Sequence, residues 1–245
     1  MAQFETIRSA GVGARAAIDE GLRAHMNKVY GLMSVAMLVT AGVAWSVGTS
    51  DALMSIFRNP ATGAMTILGW VAMFAPLAMV FAFGALINRL SAAGAQLFFY
   101  CFAAAMGLSI AWIFMAFTGI SIAQTFVVAS IAFASLSLYG YVTKRDLSGM
   151  GAFLMMGLVG LIVAMVINLF LQSGMLGFAI SVIGLLIFAG LTAFDTQRIK
   201  TEYIIHAQAM DQEWLGKAAI MGALSLYLNF INIFMFLLQF MGNRE

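Results

Sequence analysis

Two ionisable residues at the ends of long apolar runs are the first candidates for chemistry. Asp195 follows the run that ends at Phe194, and Arg89 follows the run that ends at Ile87. A charge in or beside an apolar medium costs at least about a few kcal/mol, so it usually marks a pathway or a paired site. A structural alternative for Asp195 is a local ion pair with Arg198, three residues later on the same helical face. Both interpretations stay open at this point.

The last apolar run carries a polar stripe, which is the second candidate. Its members are Ser225, Asn229, Asn232 and Gln239. At about 100° per residue they fall within about 80° of one another on a helix and extend over about 21 Å of its axis. Amides that face lipid lack hydrogen-bond partners, so this helix is predicted to face the interior of a bundle. The stripe either lines a hydrated route or bonds neighbouring helices, at about 0.6 kcal/mol per contact.

Other familiar chemistries lack their residue sets. A serine nucleophile inside the apolar runs would need a histidine or lysine beside it, and no run supplies one. The second buried aspartate that an aspartyl protease needs is also missing. Cys101 is the single cysteine, which excludes an intrachain disulfide and a cysteine metal cluster. We therefore expect no enzyme and no bound cofactor, and the small net charge of +2 indicates no nucleic-acid partner.

The elements that position these residues are predicted to lie in a lipid bilayer. Of 245 residues, 63% are apolar and 9% are charged, whereas ordinary soluble domains have about 45–50% and about 25%. Seven apolar runs are each long enough to cross about 30 Å of hydrocarbon as a helix. They fall at about Val29–Val47, Met65–Ile87, Gly94–Phe117, Ile120–Val142, Gly151–Leu171, Met175–Phe194 and Ala218–Met241. The pattern predicts an all-α integral membrane protein with seven transmembrane helices.

The positive charges predict how these helices are oriented. With the N-terminus inside the cell, ten of the 12 Lys and Arg residues lie on the cytoplasmic side. The ten are Arg8, Arg15, Arg23, Lys28, Arg89, Lys144, Arg145, Arg198, Lys200 and Lys217, and the two outside are Arg58 and Arg244. Residues 1–28 are then predicted to be a cytoplasmic N-terminal tail, and residues 29–245 a single seven-helix transmembrane domain with an external C-terminus.

Three stretches of the chain carry the pattern of a known family. They are NRLSAAG at 88–94, FDTQRIK at 194–200 and ALSLYLNFINIFMFLLQF at 223–240. Together with the seven-span layout they resemble the Bax inhibitor-1 family of membrane proteins, over a region from about Lys28 to the C-terminus. The resemblance implies six helices around a central seventh, in agreement with the argument from the polar stripe. It also implies a bacterial inner-membrane location and a pH-sensitive calcium leak pathway. The alternative is a non-conducting regulator that binds a membrane-bound AAA protease or another membrane protein.

The resemblance also implies roles for particular residues. Bacterial relatives use two aspartates that share a proton and control opening, one closing span six and one in the middle of span seven. Asp195 matches the first, and Asn229 stands at the second. An arginine after span two is expected to contact the first aspartate, and Arg89 matches it by its spacing to Gly94 and Tyr100.

The asparagine changes what this pair is expected to do. Two close carboxylates raise each other's proton affinity, which an amide does not do, so we predict weaker pH gating than in relatives with two aspartates. Calcium prefers about six to eight oxygen ligands, so Asp195 with an amide is predicted to bind it weakly. A straight helix places Asp195 near the cytoplasmic edge and Asn229 about 15 Å deep. Contact between them therefore needs helix tilt or a hydrated vestibule.

Overall fold

The computed structural model describes residues 2–206 and 211–243, with side chains from residue 18 onwards. These residues form helices, with one isolated β-bridge between Arg58 and Met65. In chain order the helices are α1 (Ala2–Gly48), α2 (Asp51–Phe57), α3 (Ile67–Leu86), α4 (Ala92–Ile110), α5 (Ile113–Ala116), α6 (Gly119–Val142), α7 (Ser148–Leu171), α8 (Gly174–His206) and α9 (Gln212–Met241). The charges of Arg8, Arg15 and Arg244, used in the topology prediction, lie outside the described side chains.

Seven of the described helical segments are long and apolar enough to cross a membrane. They are Ile18–Gly48 within α1, then α3, Ala92–Ala116 across α4 and α5, α6, α7, α8 and α9. This confirms the predicted class, an all-α membrane protein with seven spans.

The helices extend further than the apolar runs at the predicted cytoplasmic side. α1 passes residue 28 without a break and α8 continues to His206, because a helix keeps its own hydrogen bonds on leaving the bilayer. The division between a tail at 1–28 and a domain at 29–245 stays a prediction.

Short polar residues fix where several membrane helices begin. The side chains of Thr66, Ser91, Thr118 and Asp211 each accept a hydrogen bond from the backbone N–H three residues later, at the starts of α3, α4, α6 and α9. Such caps satisfy backbone donors that the first helical turn leaves without partners. Ser91 lies within the stretch NRLSAAG, so this stretch forms the turn from α3 into α4.

α9 is the most buried of the membrane helices. Of its most apolar window 67% is buried, against 11–39% for the other six spans. It packs against α1, α4, α6 and α8, whereas α3 packs mainly on α4 and α7 mainly on α8. Its Tyr227 is fully buried, and the Tyr227 hydroxyl bonds the Thr40 hydroxyl of α1 at 2.6 Å. The helix that carries the polar stripe is thus the most buried of the described spans, while α3 and α7 occupy outer positions; the arrangement of six helices around it stays a prediction.

Candidate functional site

Asp195 and Asn229 meet inside the bundle, on the facing sides of α8 and α9. Both side chains are buried, with exposures of 7% and 4%. The Asn229 amide donates to Oδ2 of Asp195 at 2.7 Å. The predicted contact between these two positions is therefore present, and it requires no aspartate at 229. Because an ionised carboxylate only accepts hydrogen bonds, the amide must turn its N–H₂ group toward it.

The second oxygen of the same carboxylate pairs with an arginine on its own helix. Oδ1 of Asp195 lies 3.0 Å from Nη2 of Arg198, three residues later. That same nitrogen donates to the Ser225 hydroxyl at 3.2 Å, and the guanidinium lies 5.8 Å from the centre of the Phe194 ring. Arg198 thus joins Asp195 of α8 to the start of the polar stripe on α9. Since each carboxylate oxygen already has one partner, a cation at Asp195 would compete with Arg198 and Asn229 for these oxygens.

Arg89 lies away from this cluster. It follows α3, its side chain is exposed, and among the described residues it forms no ion pair with Asp195. α3 packs on α4 and on the short α2. In this conformation the charge facing Asp195 is Arg198, the local partner considered from the sequence. The role that the resemblance implies for Arg89 stays a prediction.

The rest of the polar stripe divides into two kinds of contact. Asn232 donates to the Leu228 carbonyl of its own helix at 2.8 Å and is half-buried. Gln239 accepts a hydrogen bond at 2.7 Å from Ser181 of α8. Sequence reasoning did not name Ser181. The signal for it was an isolated hydroxyl in the apolar first part of α8, between Met175 and Leu191, which has no hydrogen-bond partner in lipid except its own backbone or a neighbouring helix.

Two clefts lie along the seam where α7, α8 and α9 meet. The first, of about 530 Å³, is bounded by Met155 and Leu158 of α7 and contains Asp195, Arg198 and Asn229. The members of the polar stripe in this cleft are Ser225, Asn229 and Asn232. Its walls are otherwise mainly apolar. We call it the charged cleft.

The second cleft lies further along the same seam, toward the C-terminal end of α9, and has a volume of about 680 Å³. Ser181 and Gln239 line it, together with Asn168 and Gln172 of α7. Its polar groups are uncharged amides and hydroxyls. We call it the amide cleft. The four members of the stripe are therefore distributed over both clefts.

Two aromatic rings stand between the clefts. Phe188 of α8 lines the charged cleft and Phe236 of α9 lines the amide cleft, with their ring centres 6.0 Å apart. The Phe236 ring packs directly over Gly184, where an added Cβ would overlap it. Glycine at 184 thus lets the Phe236 ring lie against α8, next to Phe188.

The charged cleft does not form a preformed metal cage. Among the described residues no group of three or more His, Cys, Asp and Glu side chains is placed to hold a metal ion. Asp195 supplies two oxygens, and Asn229 supplies one more if its amide turns over. A transported cation at this point would therefore keep water in much of its coordination shell.

The fold and the site define a multi-pass α-helical membrane protein with a carboxyl group buried between α8 and α9. Comparison with known proteins identifies the family. The family model described as inhibitor of apoptosis-promoting Bax1 matches residues 22–245, and the chain belongs to this family, the Bax inhibitor-1 family. It is 43% identical over 227 residues to the inner membrane protein YbhL of Escherichia coli strain K12, covering 92% of this chain and 94% of that protein. It is 45% identical over 229 residues to the uncharacterized protein RP147 of Rickettsia prowazekii, covering 93% and 92% of the two chains. The protein is a multi-pass protein of a bacterial inner membrane.

Proposed function

We propose that this protein provides a leak pathway for cations, calcium among them, along the seam of α7, α8 and α9. The observation that carries the proposal is the buried Asp195 carboxylate in the wall of a cleft of about 530 Å³, in line with a second cleft of about 680 Å³. A buried carboxylate inside a membrane protein is costly, and it usually belongs to an ion or proton route. Membership of the Bax inhibitor-1 family supports the same function.

In the proposed mechanism a cation takes the place of Arg198 at Asp195. The guanidinium and the cation compete for the same carboxylate oxygen, so the ion pair of 3.0 Å corresponds to a closed state. Arg198 is 43% exposed at its side chain, which leaves it free to swing away from the carboxylate toward solvent. Asn229 then offers its amide oxygen to the cation. Passage from the charged cleft to the amide cleft requires the Phe188 and Phe236 rings to separate.

The pH dependence of this pathway is proposed to be shallow. Asp195 faces Arg198 on its own helix and Asn229 on α9, while α7 contributes Gly151, Ala152, Met155 and Leu158 to the cleft. No second carboxylate faces Asp195 among the described residues of the cleft. The repulsion that makes two carboxylates share a proton is therefore missing.

The proposal assigns the protein no enzymatic reaction and no resident cofactor. In the regulatory alternative the protein does not conduct and instead binds a membrane-bound AAA protease. Ion flux distinguishes this alternative from the leak pathway. A regulator needs no route through the seam, so substitutions at Asp195 would leave ion flux at the level of empty vesicles. The same flux measurement therefore separates the two functions.

The first experiment is calcium uptake into proteoliposomes from pH 5 to 8 for the natural protein, Asn229→Asp and Asp195→Asn. We expect flux with little pH dependence from the natural protein. Asn229→Asp restores two carboxylates and should make flux depend steeply on pH, whereas Asp195→Asn should change its size. If none of the three proteins conducts above empty liposomes, the leak pathway is wrong and the regulatory alternative takes its place.

A further inference from the structure

A third cleft, on another side of the bundle, contains groups that the proposed pathway does not use. It lies between α1 and α6, has a volume of about 460 Å³, and is lined by Arg23, Asn27 and Tyr30 of α1. From α6 the apolar side chains of Phe133 and Leu138 line it. Both helices pack on α8 and α9, so the cleft is a groove on the outer surface of the bundle. We call it the α1/α6 groove.

The groove is polar at one end and apolar at the other. Arg23 and Tyr30 are seven residues apart, which is about 10 Å along a helix. α6 runs in the opposite sense in the predicted topology, so its end at Tyr141 lies beside Arg23 and its residue Phe133 lies deeper in the bilayer. Within the groove the Tyr30 hydroxyl bonds Ser137 of α6 at 2.6 Å. With the N-terminus in the cytoplasm, the polar end lies at the cytoplasmic surface of the membrane.

The polar end carries positive charges that form no ion pair with a carboxylate among the described residues, where the nearby acidic residues Asp19, Glu20 and Asp146 are exposed. Arg23 is exposed and forms no ion pair among the described residues. Lys200 of α8 does not line the groove itself but lies beside it, 5.1 Å from the centre of the Tyr141 ring, and donates to the Tyr141 carbonyl at 2.7 Å without an acidic partner in the described chain. Lys144 and Arg145 follow α6 directly. The mouth of the groove is therefore complementary to an anion.

We propose that the α1/α6 groove binds an anionic phospholipid of the cytoplasmic leaflet. The phosphate of the headgroup lies at Arg23 and Lys200, since a guanidinium binds phosphate oxygens in pairs and basic pockets between membrane helices suit acidic headgroups. Asn27 and the Tyr141 ring lie at headgroup depth, where amphipathic side chains are stable. One acyl chain follows Phe133, Ala134 and Leu138 toward the midplane. Leu138 is 62% exposed, so the groove is open sideways and a lipid enters it from the bilayer.

The order of groups favours a lipid over a free anion. A soluble phosphate needs only the charged mouth, whereas the groove continues as an apolar surface at the depth of the acyl chains. In one phospholipid molecule, the headgroup contacts the charged mouth of the groove and one acyl chain contacts its apolar part. This inference does not depend on ion permeation, because it uses a different face of the bundle from the seam.

The test is a lipid titration of the purified full-length protein in detergent, read by native mass spectrometry. The two probes are phosphatidylglycerol and phosphatidylcholine with identical oleoyl chains. We expect half occupancy at a much lower concentration of phosphatidylglycerol than of phosphatidylcholine. Removing both charges with Arg23→Gln and Lys200→Gln should raise the phosphatidylglycerol concentration for half occupancy about thirtyfold.

Matched variants separate a specific site from general attraction. Lys28→Gln removes a charge from the same helix, about 140° away from Arg23 around its axis, and should leave the titration unchanged. Ala134→Phe fills the groove with the charges intact and should weaken lipid binding. Val128→Phe alters an exposed residue of the same helix that lies about 120° around its axis from Ala134 and does not line the groove, and it should not weaken binding. Inorganic phosphate should not displace the lipid.

Four results would overturn the proposal. Equal retention of the two lipids would mean that the charge is not recognised. An equal loss with Lys28→Gln would mean that any positive charge suffices. An unchanged titration with Ala134→Phe, or displacement by inorganic phosphate, would leave an anion site without a lipid. Because Ala134→Phe keeps both cations, the proposal stays testable even if the doubly substituted protein fails to fold.

Discussion

The Asp195 carboxylate has two partners, Arg198 on its own helix α8 and Asn229 on α9. Local helix geometry brings the first to it, and helix packing brings the second. The i to i+3 spacing brings Arg198 to the carboxylate whenever α8 is helical, without help from the rest of the fold. Asn229 reaches it only because α8 and α9 pack against each other. Residue spacing therefore predicted the Arg198 pair as an alternative, and the family resemblance predicted the Asn229 contact. Sequence could not decide between Arg198 and Arg89, because that choice depends on where α3 lies in the bundle.

The competition at Asp195 gives a prediction that distinguishes the two arginines. Arg198→Gln removes the cation that occupies the carboxylate, so calcium flux into proteoliposomes should rise by about tenfold, equivalent to about 1.4 kcal/mol. Arg89→Gln makes the same chemical change at an exposed position after α3, and flux should stay within about twofold of the natural protein if Asp195 pairs as in this structure.

The combined variant Arg198→Gln with Asp195→Asn serves as the control. It should lose the increase, because no carboxylate remains to attract the cation. A rise in flux with Arg89→Gln and none with Arg198→Gln would show that Arg89 is the controlling charge, as the family resemblance implies.

At the scale of elements, the seam exists because α7 packs mainly on α8 and not on the buried helix α9. α7 is the least buried of the seven spans, with 11% of its window buried, so one side of α9 faces the seam and not a tightly packed helix. Apolar runs predicted the membrane-spanning parts of α7 and α9, although both helices begin earlier, at Ser148 and Gln212, because an apolar run marks only the part of a helix that crosses the hydrocarbon. They did not predict the seam, since a helix that is apolar on all sides gives no signal of which neighbour it will contact.

The ring pair of Phe188 and Phe236 is the predicted barrier along this seam. Phe236→Ala removes the ring that packs over Gly184, which should join the charged cleft to the amide cleft and raise calcium flux several-fold. Phe153→Ala is the matched control, because Phe153 of α7 is 70% exposed and lies outside the lining of both clefts. Flux measured in proteoliposomes should not respond to the control.

Phe236→Ala also leaves a cavity, which lowers the free energy of unfolding. Large-to-small substitution of a buried phenylalanine typically costs about 3–5 kcal/mol in water-soluble cores, so the unfolding temperature in detergent must be measured beside the flux. A folded Phe236→Ala protein with unchanged flux would exclude these rings as the barrier and would place the route elsewhere in the bundle.

At the scale of the whole molecule, the structure contains the predicted helices and leaves their orientation to be tested. The apolar fraction of 63% predicted the fold class with little ambiguity, because only helices with internal backbone hydrogen bonds and closed barrels span lipid. Orientation follows from charge distribution alone. It determines whether the charged cleft and the mouth of the α1/α6 groove face the cytoplasm, so both proposals depend on it.

Cysteine labelling in intact cells tests the orientation. In a Cys101→Ser background, Thr62→Cys places a thiol in the loop between α2 and α3, and Ser148→Cys places one at the start of α7; both residues are exposed. A maleimide that passes the outer membrane and not the inner one should label Thr62→Cys in intact cells and Ser148→Cys only after the inner membrane is permeabilised. The physical reason is the positive-inside rule, since Lys144 and Arg145 precede Ser148 whereas Arg58 is the single basic residue near Thr62. The opposite labelling would place Asp195 and Arg23 at the external side. That result would contradict the binding of a cytoplasmic-leaflet lipid in the α1/α6 groove. It would also reverse the direction in which a cation enters the seam.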